Sequence, residues 1–178
     1  MRLERAWILI AACNILLLAL TAMVNDVLAG WSVSVFLAGP CIIVPALYLE
    51  PKRLLACLAI SGLAADTMLP TPPGFLASLL IAGAALIVFT RARLGAVRMA
   101  RQAGFAWLAN AAFFAALTVW AMKQNHAGGT IFIERTAVDF CLSQAAVIPI
   151  SLWFFDFQES VLAFAGLTAR RPRSAEAS

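Results

Sequence analysis

Gly62-Leu-Ala-Ala-Asp66-Thr-Met-Leu-Pro70-Thr-Pro-Pro73-Gly74 is the stretch that decides how this chain is built. It sets one carboxylate near the end of a very apolar segment, then a proline-rich turn, then a glycine that opens another apolar segment. No Lys or Arg occurs between Arg53 and Arg91. As one helix those residues would run about 55 Å at about 1.5 Å per residue, far beyond a hydrocarbon core of about 30 Å. The chain must therefore turn back, and 70–74 is where it can. The stretch reads as a hairpin of two membrane-spanning helices with Asp66 held close to the turn.

Working outward, composition sets the class. Hydrophobic residues make up 63% of the 178 residues, charged residues 12%, and mean hydropathy is +0.91. A soluble domain of this size would lack the polar surface to cover itself. The expected fold class is an all-α integral membrane protein of six transmembrane helices: a single domain over 1–169, a polar cytoplasmic tail over 170–178, and no separate soluble domain. The net charge of +4 does not point to nucleic acid, because the basic residues sit between apolar segments rather than along one face.

The spans are expected at 7–24, 31–49, 54–69, 75–90, 104–122 and 137–155. A cleaved signal peptide competes for the first, but no small-x-small site follows Val24 and the chain stays hydrophobic. Leu37-Ala-Gly-Pro-Cys41 approaches a lipoprotein signal, yet Pro40 separates the small residues from the cysteine. Pro40 and Pro45 predict that the second span is bent or broken. Residues 91–101 predict a short interfacial helix or ordered loop, 123–135 the longest polar connection, and 161–167 a segment along the membrane surface.

Charge counting orients the spans. With the amino terminus inside, the inner segments hold Arg2, Arg5, Lys52, Arg53, Arg91, Arg93, Arg98, Arg101, Arg170, Arg171 and Arg173, and the outer ones only Lys123 and Arg135. Both termini are thus expected in the cytoplasm. Trp7, Trp31, Tyr48, Trp107, Trp120 and Trp153 fall near expected span ends, where amphipathic rings favour the headgroup region.

The catalytic inventory is thin. Cys13, Cys41, Cys57 and Cys141 lie in separate apolar segments with no C-x-x-C spacing, and read as small buried hydrophobes rather than a disulfide or zinc framework. His126 is the one histidine. No serine or cysteine has an identifiable base, so no enzyme activity, cofactor or metal is expected. Asp66 has three readings: it hydrogen-bonds or caps the proline-rich turn, it pairs with Lys123 or Arg135, or it forms a proton or ligand site. Near a helix carboxyl end the macrodipole disfavours its charge, so it needs a partner. Asn14, Asn110 and Gln144 read as interhelical hydrogen-bonding groups, with a substrate cavity as the sharper alternative. Ser61 with Ala65, Ser78 with Ala82, and Ala112 with Ala116 permit close helix approach.

The six short spans, the chain length, and Gly62-x-x-x-Asp66 followed by a short turn and Gly74 resemble the rod shape-determining protein MreD family. The resemblance covers nearly the whole chain in layout and this hairpin in residues; Pro70, Pro72 and Pro73 make the turn richer in proline than the family's. It implies a non-enzymatic scaffold of the bacterial cell-elongation (rod) complex, multi-pass in the inner membrane. The implied partners are MreC, MreB and the peptidoglycan synthases, with Gly62, Asp66 and Gly74 shaping the hairpin. Arg91, Arg93, Arg98 and Arg101 are candidate contacts for anionic lipid or an acidic partner, although positive-inside topology already explains them.

Two rivals remain. The substrate-binding membrane subunit of an energy-coupling-factor vitamin transporter has a similar size and span number. Such subunits tend to carry an alanine pair at i, i+4 in the first helix, a spacing that Ala6, Ala11, Ala12, Ala19 and Ala22 never show. The other rival is a membrane enzyme with a site formed by Asp66, Asp139 and His126.

Overall fold

A computed structural model describes residues 6–69, 71–94, 99–125 and 130–166, with side chains for all of these but 90–94, 99–101 and 125. Among the described residues the chain is all-helical, with six α-helices and no strand: α1 Ala6–Leu28, α2 Pro40–Tyr48, α3 Pro51–Met68, α4 Phe75–Leu94, α5 Met99–Asn125 and α6 Thr130–Phe164. Three helical stretches are long and apolar enough to cross a membrane, Ala6–Trp31, Gln102–Gln124 and Thr130–Phe164, and Phe75–Phe89 is a shorter apolar helix.

Unlike a soluble domain, the bundle is apolar on its outer faces as well as in its interior, where polar side chains are also gathered. Its interior combines Ile10, Ile42, Leu58, Leu80, Val147 and Phe154 with the buried polar groups Asn14, Ser61, Asn110, Ser143, Gln144, Ser151 and Gln158. Its outward faces carry Val27, Leu86, Phe89, Leu108 and Trp153. A solvent of hydrocarbon accounts for both: apolar side chains lose nothing by facing lipid, whereas polar ones must turn inward to find partners. The chain is a helical membrane protein.

Several expected boundaries change. The second span is not one helix. A 3₁₀ turn, Ala29–Trp31, prolongs α1, and Ser32 then reverses the chain in the left-handed region at φ 57°. Residues 33–38 have no helical structure, and only nine residues of α2 follow, about 13 Å of helix. Pro40 is the cause: it lacks an N–H and takes the first helical position, where none is needed. The expected polar connection 123–135 is helical at both ends, since α5 reaches Asn125 and α6 begins at Thr130. Residues 161–164 continue α6 rather than lying apart on the membrane surface. Of the interfacial stretch 91–101, Arg91 and Arg93 extend α4 and Arg101 lies in the first turn of α5.

Candidate functional site

Asp66 sits on the last full turn of α3, and its carboxylate reaches forward across the turn. Oδ2 accepts from the Gly74 N–H at 2.7 Å, and Oδ1 accepts from the Leu76 N–H and the Thr71 hydroxyl, each at 2.9 Å. The first two donors belong to the start of α4, where helix N–H groups have no partner within the helix. Asp66 thus serves as a remote N-cap. The macrodipole of α4 favours the carboxylate there, opposing the unfavourable carboxyl end of α3. Among the described residues neither Lys123 nor Arg135 pairs with it; the turn supplies its partners.

Both glycines of the motif have a steric reason. Gly74 has φ +88°, a conformation that L side chains rarely adopt, and it turns the chain into α4. A Cβ on Gly62 would fall inside the Ala77 backbone, 2.6 Å from its nitrogen and 2.8 Å from its Cβ. The missing side chain lets α3 and α4 touch one turn below the carboxylate.

A second constellation holds the non-helical residues 33–38. Buried in an apolar medium, their backbone groups need partners from the protein. Asn25 on α1 clamps Val35, accepting its N–H at 2.7 Å and donating to its carbonyl at 2.8 Å. From α6, Asp139 accepts from the Ser34 N–H at 2.9 Å and its hydroxyl at 2.8 Å, and the Ser143 hydroxyl accepts from the Phe36 N–H at 2.9 Å. From α5, Asn110 accepts from the Gly39 N–H at 3.1 Å and donates to the Phe36 carbonyl at 2.9 Å. Three helices thus replace the ladder that a regular element would have provided.

A third cluster lies deeper. The Asn14 amide donates to the Cys41 carbonyl at 3.0 Å and to the Ser61 hydroxyl at 3.4 Å, and it accepts from Gln158 Nε2 at 3.0 Å. It ties α1, α2, α3 and α6 together at one level. Gln144, by contrast, is buried with no hydrogen-bond partner among the described residues for either amide atom, as is the Ser151 hydroxyl. The expected interhelical role therefore describes Asn14 and Asn110 but not Gln144.

The remaining sequence candidates do not converge. Asp66 engages the α3–α4 turn and Asp139 the segment after α1, with no shared partner, and His126 lies outside the described residues. Cys13, Cys41 and Cys57 are buried as expected, but Cys141 is exposed. Ser61 and Ala65 pack inside, whereas Ser78, Ala82 and Ala112 face outward. Arg98 lies outside the described residues, as do the side chains of Arg91, Arg93 and Arg101. Among the described residues no group of His, Cys, Asp and Glu could hold a metal ion.

A cavity of about 120 Å³ opens between α1, residues 35–37 and the end of α3. Leu18, Ala22, Leu37, Ala65 and Met68 form apolar walls, with Thr21, Asn25 and Asp26 as its polar groups.

The fold and these constellations define a helical membrane protein whose buried polar side chains chiefly fasten backbone. Comparison with protein-family models, curated proteins and solved structures gives no match.

Proposed function

We propose that this chain is a non-enzymatic, MreD-like scaffold of the bacterial rod complex, crossing the inner membrane six times with both termini in the cytoplasm. Its partners in this reading are membrane lipids, MreC, MreB and the peptidoglycan synthases. The observation that carries the reading is the Gly62-Asp66-Gly74 hairpin. Each residue that brings the resemblance has its own structural task, and the carboxylate is engaged by three donors of the turn and the start of α4. The use of Asp139, Asn25 and Asn110 to fasten residues 34–39 supports it too, since a rigid bundle suits a part that other proteins assemble on. On this topology Arg91, Arg93, Arg98 and Arg101 lie on the cytoplasmic side, available to anionic lipid or an acidic partner.

Affinity capture of the tagged full chain from mild detergent tests this. Recovery of MreC or a peptidoglycan synthase is the expected result. Recovery of an ATPase-linked membrane complex instead would reject the scaffold for the second reading, the substrate-binding subunit of an energy-coupling-factor vitamin transporter. The cavity beside residues 35–37 is what favours that alternative.

A further inference from the structure

The cavity between α1 and α3 has a composition that selects for one kind of occupant. Its depth is apolar: Leu18 and Leu37 are buried, and Ala22, Ala65 and Met68 complete the walls. Two of its three polar groups are already engaged. The Thr21 hydroxyl donates to the Leu17 carbonyl at 2.8 Å, and the Asn25 amide uses both ends on Val35. Asp26 is different: it is exposed, lines the cavity, and has no hydrogen bond or ion pair among the described residues. The cavity thus joins an apolar chamber to one uncommitted carboxylate. A chamber of this size suits a single compact apolar group, since an engineered cavity of about 150 Å³ accepts benzene.

We propose that this cavity binds a compact apolar amine, its hydrocarbon body between Ala22, Leu37 and Ala65 and its ammonium at the Asp26 carboxylate. The cavity wall is held in shape by the Asn25 clamp on Val35, so the site exists before the ligand arrives. This assignment does not depend on the scaffold reading. An amine could reach the site as a free solute or as the headgroup of an aminophospholipid, and the ammonium chemistry is common to both.

Benzylammonium and uncharged benzyl alcohol are matched probes, titrated by saturation-transfer NMR against the full chain in phosphatidylcholine nanodiscs. The amine should bind about fivefold more tightly than the alcohol, the range open to an exposed ion pair, and the difference should fade at high salt. Asp26→Asn should remove the difference while leaving alcohol binding intact, and Ala22→Leu should fill the chamber and abolish binding of both. Equal binding of the two probes to the unaltered protein, or an amine preference that survives Asp26→Asn, would overturn the proposal. With phosphatidylethanolamine added to the nanodisc, weakened benzylammonium binding identifies the lipid amine as the occupant. Unchanged binding identifies a free amine.

Discussion

Replacing Asp66 by alanine strips the N-cap from α4 without touching α4 itself, and the cost follows from the three donors it releases. The Leu76 N–H is buried, on a residue only 1% exposed, so losing its acceptor leaves it unsatisfied at about 1–3 kcal/mol. Gly74 and Thr71 lie in the partly buried turn and regain water, so their loss resembles an ordinary cap deletion of about 1 kcal/mol. The sum is about 2–4 kcal/mol. Asp66→Asn keeps one oxygen, which serves Leu76 and Thr71 when placed at Oδ1, but it turns an amide donor toward the Gly74 N–H. Its cost should be smaller, about 1–2 kcal/mol. Unfolding in mixed micelles titrated with dodecyl sulfate, followed by circular dichroism, measures both. An alanine variant within about 0.5 kcal/mol of the parent, the range of an ordinary surface change, would refute the capping argument. So would an asparagine variant as unstable as the alanine one.

Other substitutions probe the remaining constellations by the same assay. Gly62→Ala forces a methyl into the Ala77 backbone and should cost about 1–3 kcal/mol, whereas Gly104→Ala, where a Cβ meets nothing within 4 Å, should be neutral or stabilising. Asp139→Ala leaves the Ser34 N–H without its acceptor and should destabilise by about 1–3 kcal/mol; amide exchange of Ser34 should rise more than that of Leu58 in the core. In a double-mutant cycle Asn14→Ala and Gln158→Ala should be coupled by about 0.6–1.7 kcal/mol, between the average and the maximum measured for hydrogen bonds within membranes, and additive costs would deny the contact. Gln144→Leu removes a buried amide that has no partner among the described residues and should be neutral or stabilising, so a loss of more than about 1 kcal/mol would mean that the amide is bonded.

The features legible in the sequence were the local ones. Asp66 lies eight residues from Gly74, so a turn between them brings carboxylate and helix start together whatever the rest of the chain does. Pro40 announced a broken segment for the same reason, since its missing N–H acts where it stands. The sequence did not tell how that break is accommodated. Ser34 meets Asp139 at a separation of 105 residues, and Gly39 meets Asn110 at 71. Ser34, Asn25 and Ser143 belong to residue types that also populate ordinary turns and helices. One signal was present: Asp139 and Ser143, at i and i+4, form an accepting face on a membrane helix, while a proline-broken segment elsewhere needs acceptors. The cavity had no local signature, because α1, α3 and residues 35–37 build it jointly. Gln144 and Asn14 looked alike in sequence, and only packing separates the bonded amide from the unbonded one.

Depletion of the protein from the cells that make it, with cell shape followed by microscopy, tests the scaffold reading most directly. Rods should widen and round as the protein is lost, and expression of the parent chain should restore them. Cells that keep a normal rod shape through complete depletion would contradict the account.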